Sequence, residues 1–550
     1  MPLLAVNGMA REPFRAPHAM VVTEERQAAD VGIAVLKKGG NAVDAAVAIG
    51  FTLAVTHPFA GNLGGGGFML IRFADGRSTF VDFRERAPGK AARDMYLDSS
   101  GNPTRESVEG WRSAGVPGTL RGFELAQSKY GRKKWADLLS PAIRLASKGF
   151  VINGPVADSL RTTKNLSSDP ESKRIFLKGG AFYRAGETLV QPELAATLRR
   201  IAKSGAVDFY EGETARRLAT EMASHGGLIS LDDLKNYKAV ERTPLAGQYR
   251  NYTILTAPPP SAGGAGLLQM LGMLDGSGFQ KSGAGSVTAY HYLAEAMRRF
   301  YADRSQYMGD PDSADVPLAL LLDPAYLRLR AGSIDPKRAT QSSTLHPGTL
   351  TRKEGTQTVH YNVVDAEGNA VAVTYTLNDG FGSGITVPGL GFILNDEMDD
   401  FTARPGRPNL FGVVQGEANA IAPGKRPVSS MTPTIVLRDG KLFLLLGTPG
   451  GSRITTAVLQ VFLNIVDFGM NVQDAVDFPR IHHQWQPDKL YVEQAMNPGT
   501  ISGLRTLGHD TDFAPGVVPP RVGAILIENG RLEGAVDPRN TRNISKASGY

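Results

Sequence analysis

Gln357-Thr-Val-His-Tyr-Asn-Val-Val-Asp365, then Ala366-Glu-Gly-Asn369, then Ala370-Val-Ala-Val-Thr-Tyr-Thr-Leu-Asn378: this stretch decides the fold. Two runs rich in β-branched and aromatic residues flank a turn signal, which predicts a β-hairpin over 358–365 and 370–377. The bulky positions are Val359, Tyr361 and Val363 in the first arm, and Val371, Val373, Tyr375 and Leu377 in the second. All are odd-numbered. Because side chains alternate across a strand, odd should face odd and even should face even. That register puts Thr358 opposite Thr376 or Asn378, and a one-residue slip would destroy the arrangement.

A strand threonine is commonplace, since β-branched residues suit strands. Its hydroxyl alone is a poor nucleophile. If the chain cut itself between Gln357 and Thr358, the freed α-amino group would become a base on the same residue, one of the known ways of activating a threonine hydroxyl. A flexible, accessible segment should precede such a cut, and 333–357 is polar and rich in Ser, Thr, Gly and Pro.

The residues around this hairpin extend the pattern. Thr358-Val-His-Tyr361, Thr376-Leu-Asn378, Asn395-Asp-Glu-Met-Asp-Asp400, Arg426-Pro-Val-Ser-Ser-Met431 and Thr448-Pro-Gly-Gly-Ser-Arg453 follow in order. Upstream stand Gly39-Gly-Asn-Ala-Val-Asp-Ala-Ala46, Gly61-Asn-Leu-Gly-Gly-Gly-Gly-Phe68 and Asp82-Phe-Arg-Glu85. On these motifs, from about Pro17 to the C-terminus, the chain resembles the bacterial γ-glutamyltranspeptidases (glutathione hydrolases), members of the N-terminal-nucleophile hydrolases.

The resemblance implies an α/β fold, a four-layer α/β/β/α sandwich in which a large subunit, 1–357, and a small one, 358–550, share one core. It implies that Thr358 is the nucleophile and Thr376 orients its hydroxyl. Gly450 and Gly451 match the pair whose N–H groups form the oxyanion hole. Arg84, with Ser429 and Ser430, matches the residues that grip a donor's α-carboxylate, a two-pronged task suited to a guanidinium. Asn378, Glu397 and Asp400 match the acceptors for its α-ammonium. Residues 405–416 resemble a lid, with Phe411 where some relatives carry tyrosine, so the lid should lack one hydrogen bond at the mouth of the site. The implied substrates are glutathione, glutamine and other γ-glutamyl compounds, with water, amino acids or dipeptides as acceptors. The two subunits form a heterodimer from one precursor. Neither cofactor nor metal is implied, and the location implied is periplasmic or secreted.

Composition agrees with an enzyme of this kind. At 550 residues the chain exceeds an ordinary single domain, while 42% hydrophobic and 21% charged residues are globular values. The net charge of +6 carries no long basic run; Lys37-Lys38 and Arg132-Lys-Lys134 read as solvated faces, not a nucleic-acid footprint. The apolar stretch 45–55 is too short to span a bilayer, and the N-terminus lacks the charged start and apolar core of a signal peptide. The absence of cysteine excludes disulfides and thiol chemistry.

Other features read plainly. Helices are expected over 25–58 with a break at Gly39-Gly40, through much of 110–240 (135–146 and 192–201 being the clearest), over 285–332 and over 452–467. Strands are expected over 432–437, 442–447 and 523–527, and a loop over 258–264. Gly64 to Gly67 lacks the spacing of a phosphate loop and reads as a close backbone approach. His482 and His483, adjacent on a strand, should point to opposite faces, which disfavours a metal site. Taken alone, Asp399-Asp400 reads as a solvated acidic turn.

Two alternatives remain open at this level. A glutaryl or cephalosporin-type acylase of the same superfamily would act on substrates without an α-ammonium, leaving Asp400 and Glu397 unpartnered. A non-maturing binding protein for γ-glutamyl compounds would need no activated threonine.

Overall fold

The hairpin forms, as strands Gln357–Val364 and Ala370–Asn378, and lies at the centre of one sheet. The computed structural model describes residues 11–163, 165–346, 357–404, 416–513, 520–539 and 545–550. From edge to edge this sheet runs Lys546–Gly549, Met20–Thr23, Gln357–Val364, Ala370–Asn378, Gly66–Arg72, Ser78–Phe83, Val240–Arg242. Every neighbouring pair is antiparallel. A second antiparallel sheet runs Phe14–Ala16, Arg531–Val536, Gly523–Glu528, Lys441–Gly447, Thr434–Arg438, Tyr252–Thr256, Leu245–Tyr249. Each sheet interleaves strands from before and after Thr358, so neither part of the chain has a complete core of its own.

The register follows the odd-faces-odd rule: Val359 pairs with Tyr375, Tyr361 with Val373 and Val363 with Val371. These odd positions pack on helices Arg26–Lys37, Ala42–Thr56 and Thr119–Tyr130. Helix 42–56 is buried along its whole length, which explains an apolar run too short for a membrane. The Tyr361 and Tyr375 hydroxyls donate to its carbonyls at Ala46 and Gly50 (3.0 and 2.9 Å), satisfying two buried phenols. On the far side of the second sheet, helices Ala262–Leu274, Val287–Tyr307 and Arg453–Val466 cover a separate apolar core. A third core, with Val22, Phe68, Leu70, Ile435, Leu445 and Ile525, lies between the sheets. The order is helix, sheet, sheet, helix: the four-layer α/β/β/α sandwich. Among the described residues, no helix is long and apolar enough to cross a membrane.

Several expectations are met with small shifts. Helices Trp135–Lys148 and Pro192–Ser204 and strands Thr434–Arg438, Lys441–Gly447 and Gly523–Glu528 occupy their predicted places. The expected loop over 258–264 ends earlier, because Ser261 caps helix Ala262–Leu274 and Gly263 and Gly264 belong to its first turn. Tight approach requires these glycines. A Cβ at Gly263 would lie 2.2 Å from Thr432 Oγ1, and one at Gly264 2.1 Å from the Ala257 carbonyl. Of the stretch 333–357, residues 347–356 lie outside the described residues. Its first part is tied down: Ser342 N donates to Asp488 (2.7 Å), and Trp485 Nε1 donates to the carbonyls of Ser342 and Leu345.

Candidate active site

Thr358 is 4% exposed, at the end of its strand, where the ladder slips: Gln357 pairs with Asn378 while Val359 pairs with Tyr375. Thr376 and Leu377 therefore share the space opposite Thr358, a β-bulge of the kind that re-aims a side chain. Asn378 closes the bulge with φ +79, its N–H donating to Thr376 Oγ1 (2.8 Å) and its side chain to the Asp396 carbonyl (3.0 Å).

The glycine run holds this bulge in place. Gly66 pairs with Thr376 and Gly67 with Tyr375. A Cβ on Gly64, Gly65, Gly66 or Gly67 would come within 2.0–2.4 Å of a backbone carbonyl oxygen, for Gly65 that of Thr376. Asn62 completes the clamp. Its Nδ2 donates to the Thr376 carbonyl (2.7 Å), and its Oδ1 accepts from Gly65 N (3.0 Å) and the Thr119 hydroxyl (2.8 Å). Sequence reasoning assigned no role to Asn62; its place three residues before Gly65 was the available signal.

Around Thr358 a small cavity is lined by Arg84, Thr376, Asn378, Glu397, Asp400, Ser429, Ser430 and Gly451, together with Met431 and Ile454. Of the predicted set, Gly450 falls just outside the lining and Phe411, with most of 405–416, lies outside the described residues. A larger cavity touches Arg453, His482, Tyr491, Glu493 and Arg539, on another face of helix 453–466, and none of the predicted residues line it.

Arg84 is fully buried and holds the charges of the site together. Its Nη1 is ion-paired with Glu397 and its Nη2 with Asp400. Nε donates to the Pro427 carbonyl (3.3 Å) and Nη2 to that of Val428 (3.1 Å), next to Ser429-Ser430. Glu85 stands 3.5 Å from Nη1, with both carboxyl oxygens buried and without a hydrogen-bond partner. One guanidinium thus faces three buried carboxyls. Burial pushes Glu85 up to about 7 and raises Glu397 and Asp400, while Arg84 pulls all three down. The reading of Asp399-Asp400 as a solvated turn is overturned: both residues are 5% exposed, in the turn Glu397–Asp400, and Asp399 accepts from Ser107 Oγ (2.7 Å). Their partners lie some three hundred residues upstream.

Gly450 and Gly451 have φ +133 and +55, conformations that favour glycine. Their carbonyls accept from Arg453 N and Ile454 N (3.0 Å each), starting helix Arg453–Val466. Among the described residues neither of their N–H groups has an acceptor. Unbonded N–H groups just before a helix start are of the kind that suits an anion. They adjoin the Thr358 cavity through Gly451.

His482 and His483, adjacent in the sequence, are both hydrogen-bonded. His482 bonds to Thr456 (2.9 Å) and Gln484 (3.0 Å), and His483 to Asp488 (3.2 Å). His291, Glu295 and His509 lie close enough to share a metal. However, His291 Nδ1 is 2.8 Å from His509 Nε2, and Glu295 is taken by Arg298, Arg299 and Thr340.

Comparison with known proteins gives the same answer along the whole chain. The γ-glutamyltranspeptidase family model matches residues 28–547. The chain is 48% identical to a glutathione hydrolase proenzyme of Escherichia coli strain K12, over 98% of this chain and 93% of that protein. It is 47% identical to one from Pseudomonas sp. strain A14, over 100% and 97%. An acylase ACY 1 proenzyme of Pseudomonas sp. strain V22 is more distant, at 37% over 97% and 94%. The crystal structure of a cephalosporin acylase from Bacillus halodurans superposes with a TM-score of 0.87 at 27% identity, covering 100% of this chain and 99% of that one. The hairpin at Thr358, the four layers and these matches converge: this chain belongs to the γ-glutamyltranspeptidase family.

Proposed function

We propose that the chain is a γ-glutamyltransferase and glutathione hydrolase that matures by cutting its own Gln357–Thr358 bond, leaving subunits 1–357 and 358–550 as a heterodimer. One observation carries the reading: Thr358, the Arg84–Glu397–Asp400 charges and Gly451, whose N–H has no acceptor among the described residues, line one cavity.

Thr358 Oγ attacks the γ-carbonyl carbon of the donor, and its proton passes to the α-amine freed by cleavage. The oxyanion is held by the N–H groups of Gly450 and Gly451, donors of a kind worth about 10²–10³ in rate. Thr376 orients the attacking hydroxyl. The C–N bond breaks, the leaving amine takes the proton, and a γ-glutamyl ester on Thr358 remains. Water then yields glutamate, or the amine of an amino acid or dipeptide yields a new γ-glutamyl product, and Thr358 is regenerated.

The donor's α-carboxylate is taken by Arg84, Ser429 and Ser430, and its α-ammonium by Asn378, Glu397 and Asp400. The same charges argue against a glutaryl acylase. A glutaryl group, like a γ-glutamyl group, brings one carboxylate to a pocket where one guanidinium already faces three carboxyls. It would supply no cation in exchange, and unpaired buried charge is costly. Glutathione, glutamine and other γ-glutamyl amides are the proposed donors, and the periplasm or the exterior the proposed location.

The deciding assay compares turnover of γ-glutamyl and glutaryl anilides. Preference for the γ-glutamyl substrate supports this reading, and preference for the glutaryl one makes the chain an acylase.

A further inference from the structure

The even-numbered side chains of strand 357–364 face the second sheet, and two of them beyond Thr358, His360 and Asn362, are polar. Asn362 donates its Nδ2 to the Gly523 carbonyl across the gap (3.0 Å). His360, 2% exposed, bonds through Nδ1 to Thr374 Oγ1 (2.8 Å) on the neighbouring strand. Its ring lies against Gly447. A Cβ built on Gly447 would sit 2.2 Å from Cε1, 2.5 Å from Nδ1 and 2.6 Å from Nε2 of His360. The imidazole fills the place where any other residue at 447 would carry its side chain.

Both neighbours of this contact belong to the chemistry. His360 is two residues from Thr358 on the same face of its strand, and Gly447 ends strand Lys441–Gly447, three residues before Gly450. We infer that His360 is a positioning residue, its ring being the spacer that sets the separation between the Thr358 hydroxyl and the N–H groups of Gly450 and Gly451. This rests on the function proposed above. Arg84, Glu397 and Ser429 stand on other segments, so the spacer governs the rate of acyl transfer and not the grip on the donor. Burial lowers the His360 pKa to about 3, so the ring stays neutral near pH 7 and acts by shape and by its bond to Thr374.

The test is kcat and KM for γ-glutamyl anilide in Gly447→Ala, His360→Ala and the double variant, with melting temperature as the folding control. Gly447→Ala forces its methyl into the ring; kcat should fall by about 10²-fold, the scale of a 1 Å misplacement, with KM nearly unchanged. In the double variant the ring is gone, and kcat should recover about tenfold over Gly447→Ala, the non-additivity expected of contacting residues. If a single variant stays uncut, the same comparison is read as the fraction of chain cleaved, since cleavage also uses the Thr358 hydroxyl. A double variant no more active or better cut than Gly447→Ala overturns the inference. So does a rise in KM with kcat intact. A parent protein that neither cuts nor turns over γ-glutamyl anilide refutes the function instead.

Discussion

Gly65→Ala tests how the nucleophile is held. The added Cβ would sit 2.0 Å from the Thr376 carbonyl oxygen, where ordinary contact begins at 3.4 Å, so backbone must move by the difference, about 1.4 Å. The oxygen cannot simply turn away, because it accepts from Asn62 Nδ2 at 2.7 Å. Nor can Asn62 yield freely: its carboxamide lies 2.8 Å from the same Cβ and also holds Gly65 N and Thr119. The displacement falls on the bulge opposite Thr358. A misplacement of about 1 Å can cost about 10²-fold in rate. Gly65→Ala should therefore lose about two orders of magnitude in kcat and mature slowly, with KM for the donor little changed. The assay is initial-rate kinetics with γ-glutamyl anilide on the cleaved fraction, alongside a time course of cleavage. Cleavage and kcat equal to the parent would refute the claim that the glycine run positions the bulge.

Two further outcomes follow from the charges. Arg84→Lys keeps one positive charge but cannot span Glu397 and Asp400 while reaching the Pro427 and Val428 carbonyls; with a charge-assisted hydrogen bond worth about 1.5–3 kcal/mol, KM for the donor should rise about 10- to 100-fold, read by steady-state kinetics. The Glu85 carboxyl is raised from 4.5 to about 7 in the fold, so the folded state holds its proton more tightly than the unfolded chain does. Its contribution to stability is full below pH 4.5 and is lost as pH rises towards 7. Glu85→Gln should flatten that part of the melting-temperature profile, and an unchanged slope would count against the assignment.

The hairpin was legible because a period of two and a four-residue turn are local signals. Its pairing partners were not. Strand Gly66–Arg72 pairs with residues 370–376, and Met20–Thr23 with 361–364, across some three hundred residues. Both strands are buried on both faces and show no alternation to read. The glycine run was legible as a close backbone approach; which carbonyl each glycine meets needed the fold. The bulge at Thr358 was hidden for a related reason: a regular register already placed Thr376 opposite, and the contacts at the slip come from Gly65 and Asn62, in the segment leading into strand Gly66–Arg72. Asp399-Asp400 misled because a solvated and a buried acidic turn have the same local sequence. Only the distant Arg84 and Ser107 distinguish them. Within the site, the residue types were readable from motifs, while the mutual satisfaction of Arg84, Glu397 and Asp400 is a property of the folded cavity.

The central claim is that Thr358 becomes the nucleophile by cutting the chain before itself. Intact mass of the purified protein beside Thr358→Ala tests it directly. Two fragments meeting at Gln357/Thr358 in the parent, and one uncut chain in the variant, are the predicted result. A single uncut chain in both would contradict it, because Thr358 would then never acquire its amine base.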